Sequence, residues 1–275
     1  MLALPPLAAE TIFQIGPLPV TNTYINSTIV LVLFLILGLM MRKQTREIPG
    51  KLQNFVESIF EFLLGYVDQV THDRKKSLRF LPLVGSLFFF ILISNWLGIF
   101  PGIGSIGRWL TVHGEAELVP IFRPANTDLN MTLAMAVLGV AASHIFGIVA
   151  IGFWKYANKF VKLGDIWRSF RRPTGDLPKG EKRGVSIFVA FVEFAVGIIE
   201  IFSEVAKMVS LSLRLFGNVF AGEVLLTVMA SLLAFVVPLP FIALEILVGL
   251  IQAVVFAMLV LVYLTIATME VEAAH

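Results

Sequence analysis

The sequence predicts an all-α, multi-pass membrane protein, and three observations carry that reading. Of its 275 residues, 57% are hydrophobic. Mean hydropathy is +0.88, far above that of a water-soluble domain. Several uncharged runs reach the roughly 20 helical residues needed to cross a bilayer core of about 30 Å. The 21 basic and 19 acidic residues leave a formal charge of +2, too small an excess to argue for nucleic acid. Basic residues gather beside the apolar runs, so they describe topology rather than a polyanionic ligand. With no cysteine, disulfides and thiolate metal sites are excluded and the compartment stays open. No cofactor is expected.

The elements follow in order. Residues 1–23 form an external segment whose first 19 residues hold Glu10 and no Lys or Arg, so the basic start of a signal or transit peptide is missing and an uncleaved end is expected. The first span covers 24–41 and stops at Arg42, Lys43 and Arg46. Residues 51–72 place acidic and apolar side chains at helical spacing, too polar to span, and read as an amphipathic helix on the cytoplasmic surface. Arg74, Lys75, Lys76 and Arg79 precede the second span, 80–100. The two basic clusters therefore face the cytoplasm, with the N-terminus outside and the C-terminus cytoplasmic. An external loop of Gly, Pro and mixed charge, 101–128, leads to a third span, 129–154, interrupted by His144.

Residues 155–184 carry Lys159, Lys162, Arg168, Arg171, Arg172, Lys179, Lys182 and Arg183, the mark of a basic cytoplasmic loop that sets orientation. Residues 185–237 contain no proline, so one helix of about 53 residues and roughly 80 Å is expected there, more than twice the hydrocarbon thickness. Such a helix must tilt steeply or break. Pro238 and Pro240 turn the chain into a final helix, 241–269, which forms a hairpin with the long one. The sum is about five membrane-embedded helices and one surface helix in a single integral-membrane domain, with no internal repeat.

On the long helix Glu200, Ser203, Lys207, Ser210, Arg214 and Asn218 follow one another at intervals of three or four and share one face, with Glu193 near the same line. Small polar residues such as Ser203 and Ser210 often serve only as hydrogen bonds between helices. A stripe that also carries two carboxylates, a lysine and an arginine at membrane depth lines water or a partner. Arg214 stands out because a guanidinium keeps its proton and must be held in a wet or acid-lined place. Glu223 lies nine residues further on, about 180° around a regular helix, and belongs to another face. Glu245 and Gln252 share a face of the final helix. The bland alternative for Glu223 and Glu245 is a structural pair sharing one proton. Two polar routes result, one open to each side, with a permanent cation between their inner ends.

The run Ser210-Leu211-Ser212-Leu213-Arg214-Leu215-Phe216-Gly217-Asn218-Val219-Phe220-Ala221-Gly222-Glu223 strongly resembles the signature of the subunit a family of rotary F-type ATP synthases. Agreement extends to Asn126, Asp128, Asn130 and Thr132, to the stretch from Ser94 to Gly98, and to Gln252. The resemblance implies a non-catalytic stator beside a ring of small hairpin rotor subunits, each with one membrane carboxylate, in the bacterial plasma (inner) membrane. The transported ion would be the proton, and peripheral stalk subunits would be further partners. By the same resemblance Arg214 is the essential coupling residue facing the ring. Asn218, Glu223, Glu245, Gln252, Asp128 and Asn130 lie along or near the external half-channel. Glu193, Glu200, Ser203, Lys207 and Ser210 line or approach the cytoplasmic one. Two readings stand for His144: helper of the external route, or packing histidine. Family members often place a histidine and an acid where this chain has Glu223 and Glu245, and the 155–184 loop is longer than usual.

A self-contained channel or secondary transporter is the main rival. It requires a complete pathway in this chain and usually internal repeats. An intramembrane enzyme lacks support, since no His-Glu-x-x-His, Gly-x-Ser-x-Gly or phosphate-loop motif occurs.

Overall fold

A computed structural model describes residues 6, 8–44, 49–100, 106–112, 115–160, 183–232 and 238–269. Its elements are β1 (Thr11–Ile15), β2 (Leu18–Thr21), α1 (Asn22–Gln44), α2 (Lys51–Thr71), α3 (Arg74–Ile99), β3 (Gly107–Val112), β4 (Glu115–Pro120), a 3-10 turn (Ala125–Thr127), α4 (Leu129–Ile151), α5 (Phe153–Phe160), α6 (Arg183–Leu232) and α7 (Pro238–Met269). The all-α membrane class holds. Four helices, α1, α3, α4 and α7, are long and apolar enough to cross a bilayer. The 50-residue α6, which carries Glu193, Glu200, Glu204, Lys207, Arg214 and Glu223, is not among these four.

Two small additions escape hydropathy. β1 pairs with β2, and β3 with β4, each as an antiparallel two-stranded hairpin. Both lie in segments read above as irregular. Strands of four to six residues interrupted by polar side chains give no period long enough to detect. The basic stretch after α4 likewise begins with a helix, α5, entered through Gly152 at φ 92°, a conformation that favours glycine. Residues 161–182, most of the expected basic loop, lie outside the described residues, as do 233–237.

The chain divides into two compact units. One comprises Met1–Ala136 with Leu211–Val262, the other Val137–Ser210 with Tyr263–His275. In the first, the α2–α3 corner is made by local chemistry. His72 closes α2 in the left-handed region and its N–H returns to the Asp68 carbonyl. Asp73 caps α3 by accepting from the Lys75 N–H at 2.8 Å. Thr71 and Ser77 hydroxyls meet at 2.6 Å, and Arg74 pairs with Asp68. The Ser77 hydroxyl, helped by the Arg74 guanidinium, holds the Asp68 carboxyl below the usual aspartate range against the opposing pull of burial.

α3 forms the centre of this unit. Phe89 takes Phe34 of α1 and Phe60 of α2 in tilted ring contacts at 6.5 and 5.6 Å. Further along, the buried Asn95 donates to the Gly249 carbonyl of α7 and accepts from Asn126 at 2.7 Å, while the Trp96 indole N–H reaches the Ile246 carbonyl at 3.1 Å. These polar ties join apolar helices where lipid offers no hydrophobic drive between them. Phe80, Val84, Ile91, Leu215 and Phe256 fill the interior. The outward faces of α1 expose Leu31, Leu35 and Leu39, as lipid contact requires.

Candidate functional site

Arg214 is presented by the packing of its own helix. Leu211, Leu215 and Val219, spaced by four, form the buried side of α6 in the first unit, and the neighbouring Leu213, Arg214 and Asn218 are exposed. Among the described residues no carboxylate pairs with Arg214.

His144 apart, the residues expected on the external side fall within the same unit and make four separate contacts. Asn218 Nδ2 donates to Gln252 Oε1 at 2.8 Å, joining α6 to α7. Gln252 is buried, and its Nε2 finds no acceptor among the described residues. Such a donor costs about 1–3 kcal/mol unless water or a partner chain satisfies it. Asp128 accepts from Thr23 at 3.2 Å and from the Asn130 backbone N–H at 2.9 Å, so it caps α4 and ties α4 to the start of α1. The Glu245 carboxyl lies directly against Gly222, where a Cβ would collide with it. Glu223 and Glu245 make no hydrogen bond to each other. Instead, both oxygens of Glu223 are taken by Arg123: Nε donates to them at 3.0 and 3.1 Å, and Nη2 to Oε2 at 2.9 Å.

Arg123 escapes the sequence reading. It is 1% exposed, and its remaining donors go to the Pro6 and Ala8 carbonyls at 2.8 and 3.3 Å. Asn26 of α1 accounts for its backbone carbonyl at 2.9 Å. Its one sequence cue is its setting, Ile121-Phe122-Arg123-Pro124, an arginine in an otherwise uncharged, apolar stretch of the loop.

The second unit holds most of the residues expected on the cytoplasmic side. Lys207 donates to Glu204 at 2.7 Å and lies 5.2 Å from the centre of the Tyr263 ring. Glu200 is half-buried, whereas Ser203 and Ser210 are exposed on α6. Glu193 lies on α6, with its side chain outside the described set. His144, left open by the sequence between helper of the external route and packing histidine, is found here too. Its Nδ1 sits 2.6 Å from the Tyr156 hydroxyl and its Nε2 is 3.7 Å from Glu204. Gly152 makes this contact possible by turning α5 back so that Tyr156 packs against Gly147 of α4. Glu204 is the second residue that sequence reasoning passes over. Its position three before Lys207 was a usable signal for an i, i+3 pair. Among the described residues no cluster of His, Asp and Glu could hold a metal ion.

The ATP synthase A chain family model matches residues 24–265. The chain is similar to the ATP synthase subunit a of Moorella thermoacetica, at 31% identity over 92% of this chain and 93% of that relative. It is also similar to the subunit a of Trichlorobacter lovleyi, at 30% identity over 88% and 85%. With the subunit a of Mycobacterium ulcerans identity is 31% over 93% and 89%. The match covers both units and the whole of the polar stripe on α6 up to Glu223, so this multi-pass membrane chain belongs to the ATP synthase A chain family.

Proposed function

We propose that this chain is the non-catalytic stator of a proton-driven rotary ATP synthase, working against a ring of small hairpin subunits that each carry one membrane carboxylate. The observation that carries the reading is Arg214: a cation on an apolar helix, exposed, and without a carboxylate among the described residues. A permanent charge at membrane depth needs a counter-charge or water, and an exposed one finds it on a neighbour. A rotor carboxylate passing Arg214 is stabilised in its ionised form, which favours release of its proton. The fixed positive charge opposes leakage of protons between the two routes.

Around that gate we place two half-channels. Asn218, Glu223, Glu245, Gln252, Asp128 and Asn130 belong to the external one, and the buried, unpaired Nε2 of Gln252 supports a wet path there. Glu193, Glu200, Ser203, Lys207 and Ser210 belong to the cytoplasmic one. The contacts of His144 with Glu204 and Tyr156 support placing it with the second group. Neither route crosses alone, so a proton passes only by riding the ring, and each one delivers about 2.3 kcal/mol per 100 mV to rotation. The N-terminus is external and the C-terminus cytoplasmic in this arrangement, in a bacterial plasma membrane. We assign the basic segment 155–184 to contact with the peripheral stalk.

The test is Arg214→Ala in the whole complex. Proton-driven ATP synthesis should vanish while the complex still assembles around a ring of hairpin subunits, seen by mass spectrometry after gentle purification. Normal synthesis in that variant, or no ring in the purified assembly, would refute the reading.

A further inference from the structure

The external route contains two carboxyls, and the structure treats them differently. Glu223 accepts three hydrogen bonds from one guanidinium, on both of its oxygens. That fork-to-fork geometry is the strong form of a carboxylate pair. Its partner Arg123 is buried and, among the described residues, its guanidinium is otherwise bonded only to the main-chain carbonyls of Pro6 and Ala8, which bring no charge. Taking a proton onto Glu223 would strand a desolvated guanidinium, a strongly unfavourable state. Glu245 has the opposite setting. Its carboxyl rests on the bare backbone of Gly222, one residue from Glu223, and has no hydrogen-bond partner among the described residues.

We propose that Arg123 and Glu223 form a standing ion pair, in which Glu223 positions the outer loop and N-terminal segment, and that Glu245 is the carboxyl through which protons pass on the external side. The proposal rests on the half-channel reading above and assigns the work within it. Among the described residues the charged group that faces Glu223 is Arg123 from the loop, while Glu245 of α7 rests on the preceding residue, Gly222. The nearby acids Glu10 and Asp128 carry their own hydrogen bonds, to Asn22 and to Thr23. Asn26 holds the Arg123 carbonyl and Pro124 packs on Gly98, so the guanidinium is delivered to Glu223 by a braced loop rather than a free one.

The experiment measures proton flux through the intact complex in membrane vesicles, as a function of the pH on the external side. Arg123→Gln should lower flux about tenfold and add a titration step, because Glu223 has lost its counter-charge. The paired variant Arg123→Gln with Glu223→Gln should remove that step and recover several-fold of the flux lost in Arg123→Gln alone. Glu245→Gln should abolish flux in both backgrounds. An assembled paired variant as inactive as Glu245→Gln would make Glu223 itself a proton carrier and overturn the proposal. So would an Arg123→Gln variant with the parental rate and pH profile. If the paired variant fails to assemble, Arg123→Lys decides, since it keeps the charge and loses the fork. A shifted pH profile then supports the proposal and an unchanged one overturns it. Retained pumping in Arg214→Ala would instead strike at the stator reading, so the two failures are distinguishable.

Discussion

Helix α3 carries two glycines, Gly85 and Gly98, whose surroundings predict opposite responses to the same substitution. A Cβ at Gly98 would collide with Pro124 Cγ and lie 2.7 Å from its Cδ and 3.0 Å from its Cβ. The proline ring is locked to its own backbone and cannot swing aside. Relief requires the loop next to Arg123 to move. Overpacking of this kind costs about 1–3 kcal/mol. At Gly85 nothing lies within 4 Å of an added Cβ, so alanine there only gains helix propensity, about 0.5–1 kcal/mol. The two variants should therefore differ by roughly 1.5–4 kcal/mol, the sum of these effects. Thermal unfolding of the purified chain in detergent should rank Gly85→Ala above the parent and Gly98→Ala below it. Hydrogen exchange should locate the loss at residues 123–127. Equal midpoints, or a Gly98→Ala variant more stable than the parent, would show that Pro124 does not sit where the helix needs a glycine.

Other expectations follow from the same geometry. Gly222→Ala pushes the flexible end of Glu245 out of place rather than a rigid group, so assembly should persist while ATP-driven acidification falls about tenfold to a hundredfold; an unchanged signal contradicts the placement of that carboxyl. Asn218→Ala removes the 2.8 Å donor to Gln252 Oε1 and should cost about 1–3 kcal/mol, most of it recovered when Gln252→Leu is added, and a double-mutant cycle with no coupling would count against the contact. At the α2–α3 corner the Asp68 carboxyl is held below its ordinary range, chiefly by the Ser77 hydroxyl and then by Arg74. Its contribution is therefore complete above the ordinary aspartate range and lost as the pH falls through the lowered value. Hydrogen exchange at residues 71–77 should rise on acidification in the parent and lose that acid-side dependence in Asp68→Asn.

The spans were legible because bilayer thickness imposes a length on apolar runs, and α1, α3, α4 and α7 obey it. The caps were legible only afterwards. Asp73 before α3 is a recognisable N-cap residue, yet the left-handed His72 beside it has no sequence signal of its own. The two hairpins went unread because their strands are short and their partners local, leaving no periodicity to find. The pairing of Asn218 with Gln252 spans 34 positions, and the shared-face argument placed the two residues on different helices without bringing them together. Helical spacing reports which residues share a face of one helix. It is silent about which loop residue reaches that face, and Arg123, 100 positions from Glu223, is the consequence.

The same distinction explains why Arg214 could be read from sequence when Arg123 could not. A buried ion pair is completed by a second residue, so recognising it requires both ends and the fold between them. Here Arg123 is completed by Glu223, Lys207 by Glu204, and Arg74 by Asp68. Among the described residues Lys207 of α6 has a carboxylate partner, Glu204, and Arg214 of the same helix has none. An arginine whose partner lies in another polypeptide leaves its mark in one place, as a charge that the surrounding apolar helix does nothing to accommodate. That is why Arg214 supports the proposal of a partner on another chain, while the long-range pair of Arg123 with Glu223 had to wait for the fold. On the proposed stator reading, a second chain must bring a carboxylate at the depth of Arg214 that is able to arrive and depart, because a permanent one would make an ion pair like that of Arg123 and stop the exchange.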